Sequence, residues 1–164
     1  ADHFHLDSLK RVLKNNPRAQ IVTNSAVGKL LEADQISYQI IEDQQEQTID
    51  GFTLAGFGTD HAVIHEELPI VMNTGYLFQN SFFFPGDALT NPGVPVGILA
   101  MPMIGPWMKL SEAVDWVTTL KPEMAIPVHD GMLEPRQWIY NYGKFLNEKG
   151  VGFDAIEPGE SRDY

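Results

Sequence analysis

Three short apolar runs in this sequence each end in a histidine or an aspartate. His61 closes GFTLAGFGTDH, Asp87 closes SFFFPGD, and His129 closes EMAIPVH. Runs of this length and composition predict strands, and α/β folds place ligands and catalytic groups just beyond the carboxyl ends of their strands. The pattern therefore favours a fold in which these loops meet and form a polar site.

Segments with helical periodicity alternate with the strand-like runs. Apolar residues at positions 6, 9, 12 and 13 predict a first helix over 6–14. Ser25 is expected to cap a second helix, Ser111 to begin a third, and a last helix is expected between Pro135 and Gly150. We predict a single α/β domain of mixed strands over 1–164. Its further strands are predicted at 20–23, SYQII, QTIDGFTLAGFG, GYLF, SFFF, VGILAMP and near FDAIEP, with a tight turn at Gln79-Asn80.

Charge and cysteine content narrow the classes of function. The 164 residues carry a formal net charge of -11 and no cluster of Lys or Arg, which disfavours nucleic acid and anionic membranes as partners. The chain has no cysteine, so disulfides and thiolate metal sites are excluded. No apolar run reaches the length of a membrane span, and the first residues do not resemble a signal peptide. We expect a cytoplasmic protein that acts on a small molecule.

The first residues, ADHFHLDSLKR, can be matched to a metal site in two ways. In one register His3, His5 and Asp7 form a complete cluster. In the other register only Asp2 and His3 are ligands, and the helix begins directly after them. We favour the second register because Asp7 then lies in the first turn, where the helix dipole favours acidic side chains. His5 is then a surface residue or one that supports a ligand.

Taken in order, the segments GTDHAVIH, FFPGDAL and IPVHDGM, together with Asp2-His3, resemble the metallo-β-lactamase-fold metal-dependent hydrolases, in particular the L-ascorbate-6-phosphate lactonase-like branch. The family's first signature is His-x-His-x-Asp-His, and ADHF resembles its end. The resemblance covers essentially the whole chain and implies an αββα sandwich, of which this sequence would supply the C-terminal two-thirds. The leading His-x-His would then lie before Ala1, so we expect a domain that is incomplete at its N-terminus.

The resemblance also implies a binuclear metal site. One ion would be held by His61 and the absent His-x-His, a second ion by Asp2, His3 and His129, and Asp87 would bridge the two. Imidazole and carboxylate ligands suit Zn²⁺ first and Mn²⁺ second. A hydroxide that bridges the two ions would then cleave an ester, lactone or phosphodiester bond.

Asp2, His65 and Asp130 are the candidate catalytic residues. His61 is the preferred ligand over His65 because it lies nearer the strand end, which leaves His65 in the pocket or in a supporting position. Asp130 either orients His129 as a hydrogen-bond acceptor or faces water in a turn.

Two uncharged positions near these residues also have two interpretations each. Asn73 either holds its loop or faces the site. For Trp107, in PMIGPWMKL, we favour a packed connection over a pocket wall, because Trp and Met are common core residues.

An active hydrolase is one of three hypotheses for this chain. The second is an inactive fragment or assembly module of the same fold, which lacks the His-x-His ligands and exposes an apolar sheet face that needs a partner. A homo-oligomer or association with the N-terminal segment would supply that partner. The third, a nuclease of the same fold, is disfavoured by the acidic charge.

Overall fold

The computed structural model describes residues 3–131, 133–134 and 136–164. Helices and strands alternate along these ranges much as the sequence pattern predicts. The helices are α1 (Leu6–Asn15), α2 (Ser25–Glu32), α3 (Leu110–Leu120) and α4 (Gln137–Glu148). The strands are β1 (Val22–Thr23), β2 (Gln39–Ile40), β3 (Glu46–Ile49), β4 (Phe52–Phe57), β5 (Gly75–Phe78), β6 (Phe82–Phe84), β7 (Ile98–Pro102), β8 (Met124–Val128) and β9 (Gly152–Phe153).

A seven-stranded mixed sheet organises the molecule, with strands β3 to β9 side by side in chain order. Strands β3 to β6 pair antiparallel, and β6 to β9 pair parallel. It follows that β4, β6, β7 and β8 all run in one direction, so their carboxyl ends lie at one edge of the sheet. Strand β5 runs the other way and begins at that edge. We call this edge the site edge.

One face of the sheet forms the core. Ala55, Leu77, Phe83, Leu99 and Ala125 lie opposite one another across β4 to β8 and are buried. The apolar side of α3 packs over this row and contributes to the same cluster. Burial of each large apolar side chain stabilises the fold by roughly 1.5–3 kcal/mol relative to exposure. The loops at the site edge therefore extend from a well-packed base.

The local predictions are confirmed in part. Gln79 and Asn80 adopt positive φ angles of 50° and 54°, as a two-residue hairpin turn between β5 and β6 requires. The helix starts differ by one residue from the predicted positions, because Asn24 and not Ser25 caps α2, accepting a hydrogen bond from the Val27 amide at 3.0 Å. Helix α3 begins at Leu110, before Ser111.

The chain ends also differ slightly from the predictions. The last strand is Gly152–Phe153, at the beginning of the segment around FDAIEP where a strand was expected. Pro135, the expected marker of the last helix, lies outside the described residues, and α4 begins at Gln137. Among the helices that the structure describes, none is both long and apolar enough to cross a membrane.

Candidate metal centre

A buried carboxylate, Asp87, lies among three imidazole rings at the site edge. Its Oδ2 is 3.1 Å from Nε2 of His3 and 3.3 Å from Nε2 of His61, and its Oδ1 is 3.7 Å from Nε2 of His129. The Asp87 side chain is 8% exposed, whereas those of His61 and His129 are 16% and 25% exposed. The Asp87 carboxylate is therefore largely shielded from water, and three imidazole nitrogens surround it.

The loop after β6 holds Asp87 in place through Asn73. The Asn73 side chain donates from Nδ2 to the carbonyl of Pro85 at 2.9 Å and accepts from the amide of Asp87 at 3.0 Å. Gly86 lies between these two contacts with φ of 70°, and a Cβ there would overlap the Asn73 amide oxygen. Glycine at position 86 is thus required by the way the loop wraps around Asn73.

His61 belongs to the same hydrogen-bonded unit. Its amide donates to the carbonyl of Val71 at 2.9 Å, and the amide of the next residue, Ala62, donates to the carbonyl of Asp87 at 2.9 Å. The loops after β4 and β6 are therefore joined by backbone hydrogen bonds next to the side chains that meet. This fixes the separation of His61 and Asp87 independently of their side chains.

The tautomer of His61 follows from its ring contact. Nδ1 lies 2.5 Å from the carbonyl of Ala62, and a carbonyl can only accept, so Nδ1 carries a proton. Nε2, the nitrogen that faces Asp87, is then the atom with the free lone pair when the ring is neutral. A backbone partner on the other ring nitrogen is the arrangement that orients metal-binding histidines.

His129 and His3 reach Asp87 from other elements. His129 directly follows β8 with φ of 55°, a left-handed conformation that is uncommon for a residue other than glycine. This turn directs the ring towards Asp87 and away from the line of the strand. His3 lies two residues before the His5 cap of α1, and its side chain is 47% exposed. The more exposed ring is thus at the mouth of the cluster.

The donor set suits a divalent cation. His61, with its proton on Nδ1, directs the lone pair of Nε2 at the Asp87 carboxylate, and this arrangement is repulsive unless a cation lies between the two groups. A cation between these atoms could be coordinated by both the imidazole nitrogens and the carboxylate oxygens. Ligand atoms bound tetrahedrally to zinc at 2.0–2.1 Å lie roughly 3.3 Å from one another. The 3.1 and 3.3 Å separations match that spacing.

Three of the four candidate ligand residues form a compact group. The ligand atoms of His3, Asp87 and His129 all lie within 4.8 Å of one another. His61 contacts Asp87 but is outside that group. Asp87 therefore contacts three histidines, two of which form a compact group with it.

An indole ring walls the cavity around the cluster. Trp107 is 9% exposed, and its ring lies edge-on to His61 at 5.9 Å and to His129 at 6.4 Å between centroids. The cavity has a volume of about 550 Å³, and Ile64, Pro106 and Gly131 complete its lining. The apolar wall lowers the local dielectric, which strengthens the interaction of the site with a bound cation.

Comparison with known proteins identifies the family. A family model described as "Beta-lactamase superfamily domain" matches residues 1–129. The chain belongs to the β-lactamase superfamily. Protein Rv0786c of Mycobacterium tuberculosis (strain ATCC 25618 / H37Rv) is 32% identical over 165 residues, a match that covers 98% of this chain and 76% of that protein.

Two solved structures share the fold of this superfamily member. Igni18, described as a novel metallo hydrolase from the hyperthermophilic archaeon Ignicoccus hospitalis KIN4/I, has a TM-score of 0.73 at 15% identity over 94% of this chain and 71% of that chain. A provisionally assigned metal-dependent hydrolase from Parabacteroides distasonis ATCC 8503 has a TM-score of 0.64 at 15% identity, covering 83% of this chain. The chain spans 63% of the length of the Parabacteroides protein. The predicted metallo-β-lactamase fold class is confirmed by these matches.

The structure brings together four of the five predicted ligands: His3, His61, Asp87 and His129. Asp2 lies outside the described residues. In the competing register, His5 and Asp7 would also be ligands. Instead His5 caps α1, its Nδ1 accepting from the Ser8 amide at 3.2 Å, and Asp7 is an exposed residue of the first helical turn.

The other two candidate catalytic residues have different partners. His65 is exposed and accepts from the Glu67 amide at 3.2 Å, and it is not part of the lining that surrounds Asp87. Asp130 accepts from Arg136 at 3.2 Å, and Arg136 also pairs with Glu157 at 3.4 Å. Burial opposes the charge of Arg136, but Glu157 and Asp130 together raise the pKa of its guanidinium. Asp130 thus anchors the turn after His129 to the start of α4.

Sequence reasoning left the roles of Asn73 and Asp130 open, preferred one of two interpretations for Trp107, and missed one residue. Asp130 pairs with Arg136, which is neither of the two roles considered for it. Asn73 holds the Asp87 loop, which is one of the two roles considered for it. Trp107 is buried, as expected, but it also walls the cavity, so the packed-connection interpretation was incomplete. The missed residue is Arg136. The sequence signal that could have indicated its ion pair is that a basic residue follows shortly after Asp130.

Proposed function

We propose that this superfamily member is a metal-dependent hydrolase in which Asp87 bridges two divalent cations. The contacts of Asp87 carry the proposal: Nε2 atoms of three histidines lie within 3.7 Å of its carboxylate, those of His3 and His61 at Oδ2 and that of His129 at Oδ1. Nitrogen and oxygen donors without sulfur favour Zn²⁺, with Mn²⁺ as the second choice. Asp2 would complete the ligands on the side of His3, and a His-x-His segment those on the side of His61.

When bound, the two ions would lower the pKa of a shared water towards neutrality and polarise the bond under attack. The chain's own residues hold and orient the ions. His61 would bind through Nε2 while its Nδ1 donates to Ala62, and Asn73 would keep the Asp87 carboxylate directed at the cluster. Trp107 would exclude water from one side. An ester, lactone or phosphodiester of a small molecule is the substrate class.

The remaining candidate residues take part in this proposal in different ways. Asp130 would act as a positioning residue, because its ion pair with Arg136 stiffens the turn that carries His129. The catalytic role of His65 stays a prediction: this exposed residue would contact the substrate at the rim of the site. A cytoplasmic location stays a prediction, with which the absence of cysteine is compatible.

Metal-dependent turnover tests the proposal directly. The chain, with and without an upstream segment carrying the His-x-His, is titrated with Zn²⁺ or Mn²⁺ and assayed on p-nitrophenyl acetate, a γ-lactone and bis-p-nitrophenyl phosphate. We expect hydrolysis of at least one substrate that is lost on chelation and in Asp87→Asn. Asp7→Asn is the matched control, because Asp7 is an exposed aspartate of α1 that does not contact the cluster.

Two results would contradict the hydrolase. One is the absence of turnover on all three substrates with metal bound and the upstream segment present. The other is turnover that survives Asp87→Asn. The isolated 164 residues are expected to be less active than the extended chain, and equal activity would show that the upstream ligands are not needed.

An assembly module is the second candidate, and the sheet face opposite the core favours it. Phe78 and Phe84, the last residues of β5 and β6, lie on that face and are 41% and 39% exposed, and exposed apolar patches often mark interaction surfaces. A homo-oligomer or the N-terminal segment would cover them. Metal binding without turnover, together with a stable dimer in solution, would support this candidate over the hydrolase.

A further inference from the structure

A second cavity, mainly apolar, is lined by residues of loops that also line the metal cavity. It has a volume of about 500 Å³, and its walls include Met103, Ile104, Met108, Leu110, Leu133 and Trp138. Met103 is fully buried, whereas Trp138 at the rim is 51% exposed. Met108, Leu110 and Leu133 also pack against the main core, so the walls are anchored to the sheet. We call this cavity the apolar cavity.

The two cavities share the same two loops. Residues 103–108 supply Pro106 and Trp107 to the metal cavity, and they supply Met103, Ile104 and Met108 to the apolar cavity. A backbone hydrogen bond of 3.3 Å from Met108 to Gly105 closes this loop into a turn. The turn that carries Trp107 therefore contributes side chains to both cavities.

The loop after β8 also lines both the metal cavity and the apolar cavity. His129 and Gly131 line the metal cavity, while Leu133 and Glu134 line the apolar cavity. The Leu133 amide donates to the Asp130 carbonyl at 2.9 Å and holds this loop in a turn. The two loops that hold the metal cavity thus also hold the apolar cavity.

The charges around the apolar cavity disfavour an anionic group. Glu134 is the charged residue of its lining and lies exposed at the rim. Lys109 adjoins the lining in sequence but is exposed and is not part of it. Arg136, the nearby guanidinium, is already paired with Asp130 and Glu157. The net charge of -11 likewise disfavours the binding of an anionic group.

We propose that the apolar cavity binds an uncharged apolar group of the substrate, such as an acyl chain or an aromatic ring, joined to the bond that is cleaved beside Asp87. This inference rests on the proposed hydrolase function for the placement of that bond. It narrows the substrate class to hydrophobic esters or lactones, and it excludes substrates whose distal end is phosphorylated. Each methylene buried in such a cavity is expected to raise kcat/KM by about fourfold.

Binding to the metal-free protein tests the cavity without any turnover. Methionine methyl groups are labelled with ¹³C, and the chain is titrated with hexyl acetate and, as the short-chain control, ethyl acetate. We expect the signals of Met103 and Met108 to shift with hexyl acetate. The signal of Met124 should stay in place, because this residue lies at the start of β8, at the end opposite the site edge.

A pair of variants on α4 tests the location. Trp138→Ala is expected to weaken the binding of hexyl acetate by at least about fivefold. Phe145→Ala replaces another exposed aromatic of α4 that does not line the cavity, so it should bind like the wild type. Shifts spread evenly over all methionines, or no shift at Met103 and Met108, would overturn the proposal.

Turnover separates this proposal from the proposed function. With metal bound, kcat/KM is compared for p-nitrophenyl acetate, butyrate and hexanoate, and a rise with chain length that Trp138→Ala flattens supports the cavity. Equal kcat/KM along the series would overturn the cavity while leaving the hydrolase intact. Selective shifts of Met103 and Met108 with no turnover of any ester would support the cavity and contradict the hydrolase.

Discussion

At the scale of single residues, the two N-terminal histidines are expected to behave differently. His3 contacts Asp87, whereas the His5 ring caps α1. His3→Ala should lower zinc affinity by at least about 10–100-fold, the effect typical of disturbing a metal shell. His5→Ala should leave the affinity unchanged and lower the free energy of unfolding by about 0.5–2 kcal/mol through the lost cap. Calorimetric titration and urea unfolding measure both quantities. Equal loss of affinity in the two variants would favour the register in which His5 is a ligand.

Gly86 is the residue on which the position of Asp87 depends most. Gly86→Ala should destabilise the chain through left-handed strain of about 1–2 kcal/mol and also displace Asn73, which lies where the new Cβ would be. Gly93→Ala is the matched control, since Gly93 has φ of 72° and a methyl group added there would have nothing within 4 Å. Gly93→Ala should therefore lower the free energy of unfolding by the backbone strain alone.

Zinc affinity distinguishes the two glycine variants. Gly86→Ala is expected to lose affinity because Asn73 can no longer hold the Asp87 amide, while Gly93→Ala keeps it. If both variants unfold at the same urea concentration and bind zinc equally, the Asn73 contact does not position the carboxylate.

The sequence allowed the residues at strand ends to be predicted but not their supporting contacts. His61, Asp87 and His129 each follow an apolar run, and the direction of β4, β6 and β8 brings them together. The pairing of Asp130 with Arg136 depends on how the turn after β8 meets α4, which no local pattern encodes. The position of Trp107 in the cavity wall likewise depends on the neighbouring loops. From the sequence, only the burial of Trp107 could be predicted.

At the scale of elements, the order of the strands explains why these loops meet. The switch from antiparallel to parallel pairing at β6 places the ends of β4, β6, β7 and β8 at the site edge. Strand positions were predictable from apolar runs, but the pairing partners are set by long-range contacts. The start of α2 shows the same limit, since Asn24 and Ser25 are both good capping residues and tertiary contacts decide between them.

Helix α2 provides a prediction of pH dependence. Ser25, the first residue of α2, lowers the pKa of Glu42 through its hydroxyl first and also through its amide, which donates to the Glu42 carboxylate at 2.9 Å. A lowered pKa contributes stability at neutral pH that is lost as the pH falls through the pKa of the folded state. Glu42→Gln should therefore lower the Tm near pH 7 and approach the wild-type Tm in acid. A difference in Tm that stays constant from pH 7 to pH 3 would contradict this role.

At the scale of the whole molecule, metal binding should stabilise an otherwise acidic chain. A ligand that binds only the folded state adds about 2.7 kcal/mol to the free energy of unfolding at one hundred times its Kd. We expect Zn²⁺ to raise the Tm of the wild type, and to raise that of Asp87→Asn far less. Mg²⁺ at the same ionic strength controls for screening of the net charge of -11. An equal rise with both ions, or in both proteins, would indicate nonspecific binding.

X-ray absorption at the zinc edge tests the central claim most directly, because it reports the ligands of the bound ion. With one equivalent of zinc, we predict a shell of nitrogen and oxygen atoms at roughly 2.0–2.1 Å with clear outer-shell scattering from imidazole. His129→Ala should weaken that scattering, since His129 belongs to the group with His3 and Asp87. A shell of oxygen atoms without imidazole scattering would contradict a metal centre built on Asp87 and its histidines.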